Sequence, residues 1–181
     1  RYFGDWEGDF IVSPKDGFGV LLVLQERKSK FVIVKKLMKR NNDEVNKAIY
    51  EMTGGIACFN SLTLDNDIAF KKHKELSELL GINIYFCEPY KSWQKGGVEN
   101  MNKLIRRYIP KGTNISKVSD RHIKKIEDKL NNKFRKCLNY KTALEVMEEN
   151  NLLKLNVRGI LEEIKKTPVE VSNLSVAECS A

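Results

Sequence analysis

The sequence has few of the residues that build disulfide scaffolds and zinc sites. Its 181 residues include four cysteines and two histidines. The cysteines are widely spaced without a Cys-x-x-Cys pair, and neither histidine has a spacing typical of a zinc ligand. We therefore expect reduced, structural thiols in a protein of the cytoplasm.

Long apolar segments are also missing from the sequence. No run approaches the ~20 residues of a membrane-spanning helix, and the N-terminus has no signal-peptide architecture. We expect no membrane partner. The sequence starts abruptly with Arg-Tyr-Phe-Gly, as an excised domain would. Its length suits one domain, or a domain with an appendage, and a compact chain of this size buries roughly 70% of its unfolded surface.

Acidic residues are scarce in one part of the chain. Residues 101–141 contain 13 lysines and arginines against 3 acids, whereas the whole chain has 32 against 24 and a net charge of +8. A regional excess of positive charge favours a polyanionic partner. The alternative is a lysine-rich helix face that is merely solvated.

The hydrophobic pattern predicts an α/β domain in which an antiparallel meander of three strands comes first. Strands are expected at residues 5–12, 19–24, 31–34, 62–65 and 82–87. Helices are expected at residues 43–52, 71–80, 97–108, 119–131 and 142–149. Strands that alternate with helices after a meander are typical of a mixed sheet with right-handed crossovers.

Three acidic residues occupy positions that meet at one end of such a sheet. Asp9 lies on the first strand, Asp65 ends the fourth, and Glu99 begins an amphipathic helix that carries Lys103 and Arg106 on the same side. Clustered carboxylates repel one another unless a cation is present, and Mg²⁺ prefers oxygen ligands. The three acids are therefore a candidate metal site. Taken singly, each has a simpler explanation: Asp9 as a strand-end acid, Asp65 as a turn residue and Glu99 as an acid at a helix N-terminus.

The opposite face of that helix is predicted to be buried in the core. Its apolar residues at helical spacing are Met101, Leu104, Ile105 and Tyr108. A basic, glycine-bearing loop leads into the helix, with Gly96 and Gly97 as a hinge.

Seven segments resemble a known family. They are Gly-Asp-Trp-Glu-Gly-Asp (4–9), Glu-Arg-Lys-Ser-Lys-Phe (26–31), Leu-Thr-Leu-Asp-Asn (62–66), Pro-Tyr-Lys-Ser-Trp-Gln-Lys-Gly (89–96), Glu-Asn-Met-Asn (99–102), Tyr-Ile-Pro-Lys-Gly-Thr (108–113) and Leu-Asn-Asn-Lys-Phe-Arg-Lys-Cys-Leu-Asn-Tyr-Lys-Thr (130–142). As a collinear set over residues 4–149, they resemble the catalytic core of bacterial insertion-sequence transposases of family thirty. That family lies in the integrase-core superfamily, which includes retroviral integrases.

The resemblance implies a ribonuclease H-like fold, with a five-stranded mixed sheet flanked by helices, and a DDE-type transposase or integrase activity. Asp9, Asp65 and Glu99 become the catalytic triad and the ligands of Mg²⁺ or Mn²⁺, with two ions when DNA is bound. The implied reaction cuts the end of the element with water to free a 3′-OH, which then attacks a target strand.

The implied partners are transposon ends, target DNA and further copies of the chain, without a small-molecule cofactor. Residues expected to contact DNA are Tyr90, Trp93, Lys95, Lys103, Arg106 and Arg107. Tyr90 and Trp93 offer stacking surfaces, although Trp93 equally fits plain core packing. Residues 1–149 are assigned to the catalytic core, and residues 150–181 to a C-terminal helical extension and tail of unknown role.

The sequence departs from the family pattern after Asp65. The family usually continues as Asp-Asn-Gly-x-Glu-Phe, whereas this chain has Asp67 in place of the glycine and Ala69 in place of the glutamate. Loss of the glycine removes easy access to positive φ. Two alternatives therefore stand beside the transposase hypothesis: a catalytically degenerate domain that binds DNA or multimerises, and a ribonuclease H-like nuclease that cuts without joining.

Overall fold

The computed structural model describes residues 2–88 and 95–154. Its strands are β1 (Asp5–Val12), β2 (Val20–Glu26), β3 (Val32–Leu37), β4 (Ser61–Leu64) and β5 (Asn83–Phe86). Its α-helices are α1 (Asn42–Thr53), α2 (His73–Leu80), α3 (Gly96–Ile105), α4 (Asp120–Asn131) and α5 (Ala143–Glu149). Short 3₁₀ turns lie at Ile68–Phe70, Ile115–Lys117 and Lys136–Leu138.

The five strands form one mixed sheet in the order β3-β2-β1-β4-β5. β1, β2 and β3 are antiparallel neighbours, whereas β4 runs parallel to β1 and β5 runs parallel to β4. This confirms the predicted meander of three strands followed by two parallel strands. Parallel neighbours need crossover connections, and α1 and α2 lie in those connections.

β2 explains why the sheet separates two cores. All seven of its residues are buried, and alternate side chains enter opposite clusters. Leu22 and Leu24 pack with α1, α2 and α5 on one face. Leu21 and Val23 pack with α3 and α4 on the other. The sequence predicted this burial on both faces from the unbroken apolar run.

α4 covers one edge of the sheet, along β3. The side chain of Asn131 accepts a 2.9 Å hydrogen bond from the N–H of Val32 and donates one of 2.8 Å to its carbonyl. Oε2 of Glu127 accepts a 2.7 Å hydrogen bond from the N–H of Val34. Because β3 is an edge strand, these side chains replace the backbone partners that another strand would supply.

The predicted end of α3 at residue 108 is wrong. The helix ends at Ile105, and Tyr108 is 43% exposed instead of joining the core. Ile109 takes the buried position and directly precedes Pro110, and a residue before proline is disfavoured in the α region. Met101 and Ile105 are fully buried as predicted.

The described chain continues past α5 along the core. Leu152 is buried, its carbonyl accepts a 2.8 Å hydrogen bond from the N–H of Ala57, and Leu153 bridges Ile56. The predicted helical extension otherwise lies outside the described residues. Cys58, Cys87 and Cys137 are free thiols. No helix in residues 2–88 or 95–154 is long and apolar enough to cross a membrane.

Candidate active site

The acidic face of β1 points at α3. Asp5, Glu7 and Asp9 alternate with Trp6, whose side chain is buried in the opposite core. Glu7 is 3% exposed although it is a carboxylate, and Asp9 is partly buried. A buried carboxylate is costly unless it is paired and hydrogen-bonded. The contacts of these acids with α3 therefore organise the site.

The sheet brings Asp9 and Asp65 together. β1 and β4 are parallel, with Asp5 opposite Ser61 and Glu7 opposite Thr63. Two further residues along each strand lead to Asp9 and Asp65, at the same end of the sheet. The sequence prediction that these two aspartates approach each other through the strand order agrees with this register.

Lys95 bridges the two aspartates. Its Nζ lies 3.2 Å from Oδ1 of Asp9 and 3.4 Å from Oδ2 of Asp65, and its side chain is 8% exposed. On the other side, Nδ2 of Asn102 donates a 2.9 Å hydrogen bond to Oδ2 of Asp9. Both carboxylate oxygens of Asp9 are thus held, one by the side chain just before α3 and one by a side chain in the middle of it.

Burial and charge act together on these groups. Burial raises the pKa of Asp65, Lys95 opposes this rise, and Asp9 adds to it. Burial alone would lower the pKa of the Lys95 ammonium, but Asp9 and Asp65 more than offset it, so its net pKa is raised. Lys95 is therefore a cation at neutral pH, as its position between two carboxylates requires.

The first turn of α3 is fixed by Glu7. Oε2 of Glu7 accepts a 2.9 Å hydrogen bond from the N–H of Val98, and Oε1 lies 2.8 Å from Nε of Arg27. Gly97 is required for this approach, because a Cβ at that position would lie 2.8 Å from Oε2 of Glu7. Glu99, the next residue after Val98, is partly buried in the same turn.

The donor set suits a hard divalent cation. Asp9 and Asp65 already direct carboxylate oxygens at one cationic group, the ammonium of Lys95. Oδ1 of Asp65 is buried and has no hydrogen-bond partner among the described residues. Carboxylate oxygens are the ligands that Mg²⁺ and Ca²⁺ take. Across residues 2–88 and 95–154, however, no three His, Cys, Asp or Glu side chains are placed to hold one ion.

The predicted DNA-contacting residues occupy different environments. Lys103 and Arg107 are exposed on or just after α3. Arg106 donates hydrogen bonds to the carbonyls of Val12 and Pro110, at 2.9 and 3.2 Å. Tyr90 and Trp93 lie outside the described residues. Lys95 is the unexpected case, because the structure pairs it with two carboxylates.

The substitution at Asp67 has a structural role of its own. Its φ is −76°, so the backbone there does not require glycine. Oδ1 accepts a 2.9 Å hydrogen bond from the N–H of Ala69 and caps the following 3₁₀ turn, and Oδ2 lies 3.1 Å from Arg40. Positive φ, to which a glycine would give easy access, is therefore not needed at this position.

Sequence reasoning missed Glu7 and Asn102 as organisers of the site. A signal for Glu7 was present, since three acids on one face of a buried strand need partners. Asn102 stands in the quoted Glu-Asn-Met-Asn segment, three residues after Glu99 and thus on a neighbouring helical position. Nothing local in the sequence pairs Glu7 with Val98 or Asn102 with Asp9, because each pair is separated by more than 90 residues.

The order of the five strands and the two helical layers are those of a ribonuclease H-like fold. The catalytic core of BIV integrase superposes with a TM-score of 0.61 at 19% identity, over 91% of this chain and 99% of that core. A chain of a simian T-cell lymphotropic virus intasome, solved with PP2A regulatory subunit B56 gamma, superposes with a TM-score of 0.64 at 19% identity. The match covers 78% of this chain and 52% of that chain. These similarities confirm the fold.

By sequence, the chain is similar to insertion-sequence transposases. The transposase of element IS4351 from Bacteroides fragilis is 40% identical over 148 residues, which is 81% of this chain and 45% of the relative. Transposase InsI of IS30A from Escherichia coli K12 is 34% identical over 82% of this chain and 39% of the relative. The transposase of IS1086 from Cupriavidus metallidurans is 36% identical over 81% of this chain and 43% of the relative.

The resemblance predicted from the seven segments is thereby confirmed. The chain spans less than half the length of the curated relatives that it matches. No family model matches it.

Proposed function

We propose that this chain is the catalytic domain of a DDE-type transposase that cleaves DNA and transfers a 3′-OH end to a target strand. The observation that carries the proposal is the placement of Asp9 and Asp65 at one end of parallel strands, with α3 docked on the same face of β1. Glu99 lies in the first turn of that helix. Each acid proposed for the triad lies on or next to an element that packs against the core, which supports the assignment.

Asp9, Asp65 and Glu99 would hold Mg²⁺ or Mn²⁺ in this proposal, with two ions when DNA is bound. Bound divalent ions supply Lewis-acid activation of the attacking oxygen and stabilise the leaving oxygen of a phosphoryl displacement. The residues of the chain position the DNA around those ions. Asn102 orients Asp9, and Glu7 fixes the turn that carries Glu99.

Lys103 and Arg107, together with the basic region 101–141, would neutralise DNA phosphates. Their exposure leaves them available to a polyanion. Arg106 reaches the same surface, although in this structure its guanidinium binds two carbonyls. One structural neighbour is an intasome, which supports a homo-oligomeric working form. We expect this assembly to act in the bacterial cytoplasm, at the nucleoid.

A strand-transfer assay tests the proposal. The protein is incubated with labelled DNA ends and target DNA, with and without Mg²⁺, and cut and joined products are separated on a gel. Asp65→Asn and Glu99→Gln should abolish both products. Asp43→Asn is a matched control, because Asp43 lies on the far face of the sheet and pairs with Lys72 at the surface. Retained turnover in the triad variants would contradict the assignment.

The same assay separates the two alternatives. A ribonuclease H-like nuclease would give cut but unjoined strands. A degenerate domain would give neither product and would show no change in thermal stability with Mg²⁺. The structural observation that favours the degenerate reading is the cation between the aspartates, Lys95, since a permanent ammonium there would exclude metal.

A further inference from the structure

Lys95 combines three properties that conflict in an ordinary DNA-contacting lysine. Its side chain is 8% exposed, its ammonium contacts two carboxylates, and both carboxylates belong to the proposed metal site. A lysine that served only to attract phosphate would stand in solvent, as Lys103 does. The buried position therefore needs an explanation beyond DNA attraction.

We propose that Lys95 is an exchangeable internal cation, which neutralises Asp9 and Asp65 while divalent metal is absent and moves to a DNA phosphate when the metal binds. The inference rests on the proposed function, since it assumes that these aspartates hold the metal. It assigns to one side chain the coupling between metal binding and DNA binding.

The first step is that the two cations exclude each other. Nζ of Lys95 lies within 3.4 Å of an oxygen of each aspartate. A Mg²⁺ ion contacts such oxygens at ~2.0–2.1 Å, so it would lie only a few ångströms from an ammonium left in place. Like charges at that distance repel strongly in a partly buried site. Lys95 must therefore leave before Asp9 and Asp65 can share a metal.

The second step is that Lys95 has a function in the metal-free protein. Two carboxylates this close would repel each other without a cation. Asn102 satisfies one oxygen of Asp9 but brings no charge. Lys95 supplies the charge, and so it holds the two aspartates near the geometry in which they are used.

The third step is that Lys95 can move without disturbing the core. It directly precedes α3, and Gly96 has open space around the position of a Cβ. The helix itself is fixed one residue later, by the requirement for glycine at Gly97 and by the bond from Val98 to Glu7. A four-carbon side chain anchored outside that fixed turn can change rotamer and reach solvent.

A thermodynamic consequence follows from the exchange. Metal binding releases Lys95 for phosphate, and phosphate binding removes Lys95 from the aspartates. Each ligand therefore raises the affinity of the other by the same factor. A lysine that only packs between the aspartates, or only meets DNA, would not couple the two.

Mn²⁺ binding to the DNA-free protein gives the first test, measured as the loss of free ion in electron paramagnetic resonance. Lys95→Met keeps the length of the side chain and removes its charge. It should bind Mn²⁺ about tenfold more tightly than the wild type, within the usual range of coupling. Lys47→Met is the control, since Lys47 is exposed on α1, across the sheet from α3, and the Mn²⁺ affinity of this variant should not change. Unchanged or weaker Mn²⁺ binding in Lys95→Met overturns the proposal.

DNA binding gives the second arm. Fluorescence anisotropy of a labelled duplex is followed in the cold, with and without Mn²⁺, and gels confirm that the duplex is intact. Mn²⁺ should raise the DNA affinity of the wild type about tenfold and that of Lys95→Met clearly less. Equal enhancement in both proteins also contradicts the exchange.

A measurement on the wild type alone keeps the test valid if Lys95→Met does not fold. Lysine acylation is mapped by mass spectrometry after a short pulse of reagent. Lys95 should be protected without Mn²⁺ and reactive with it, whereas Lys103 should react equally in both. Protection that persists at saturating Mn²⁺ would refute the exchange. Failure of the proposed function would give a different result. If Asp9 and Asp65 do not hold the metal, Asp9→Asn and Asp65→Asn will bind Mn²⁺ as tightly as the wild type does.

Discussion

The backbone N–H of Val98 donates a 2.9 Å hydrogen bond to Oε2 of Glu7, and this bond ties the first turn of α3 to β1. Glu7 and Asp9 share one face of that strand, while Glu99 directly follows Val98. The position of the proposed third acid is therefore set by a buried carboxylate that is not itself one of the triad.

We expect Gly97→Ala to destabilise the protein by about 1–3 kcal/mol, the usual cost of overpacking a fixed site. The added Cβ would lie 2.8 Å from Oε2 of Glu7 and 3.0 Å from Oε1 of Gln25. Both side chains are buried, and Glu7 is also held by Arg27. Urea unfolding measures the change, and a strand-transfer assay should show a loss larger than the stability change explains.

Gly96→Ala is the matched control for that variant. A Cβ at Gly96 meets nothing within 4 Å, and the residue begins α3. Alanine should therefore leave stability unchanged or raise it by about 0.4–1 kcal/mol, since it restricts the unfolded chain. Equal effects at the two glycines would show that Glu7 does not fix the turn.

We expect Asn131→Ala to cost about 2–4 kcal/mol. The substitution leaves the N–H and the carbonyl of Val32 without the partners that Asn131 supplies, in a buried part of the edge strand. Asn132→Ala serves as the control, because Asn132 is exposed and its amide only bonds the carbonyl of Asp128. Its cost should stay below about 1 kcal/mol. Similar thermal shifts for both variants would contradict the role of Asn131 at the edge.

The sequence was sufficient for the sheet and insufficient for the contacts of α3. Alternation along β1 and the apolar run of β2 reflect burial directly, so the strands, the meander and the mixed sheet followed from local patterns. The strand-end positions of Asp9 and Asp65 predicted their approach. The side chains of Thr142 and Asn41 cap α5 and α1 through contacts that span only three residues. Lys95 is different, because its aspartate partner in β1 is 86 residues away and a basic loop residue next to a predicted DNA site looks solvent-exposed.

The end of α3 shows a second physical limit. Helical periodicity extends the apolar stripe to Tyr108, but Pro110 biases the chain out of the helix before it. Tyr108 instead lies at the surface, and Nζ of Lys129 lies 5.6 Å from the centroid of its ring. The proline ends the helix although the apolar pattern continues, and packing decides between the two signals. Here Ile109 is buried and Tyr108 is not.

Restoring the usual family residue at position 67 should not improve the protein. Asp67→Gly removes the cap on the 3₁₀ turn and the ion pair with Arg40, and φ at this residue is already negative. We expect a loss of about 0.5–1.5 kcal/mol, from the cap, the surface ion pair and the flexibility of glycine. Thermal unfolding measures the loss, and strand transfer should not increase. Asp67→Asn keeps the capping oxygen and should be nearly neutral; a gain of activity in Asp67→Gly would show that the family glycine matters for catalysis.

DNA affinity should fall steeply with salt if the surface around α3 is the footprint. Each phosphate contact that is lost reduces the slope of log affinity against log salt by about 0.9. Lys103→Gln and Arg107→Gln should each lower the slope by roughly that amount, because both residues are exposed at or just after the end of α3. Lys47→Gln is the control, since Lys47 is exposed on α1, across the sheet from α3. Anisotropy titrations over a salt series measure the slope. An equal change of slope for Lys47→Gln would show that DNA binds elsewhere. A salt-independent affinity would show that the basic region does not contact DNA.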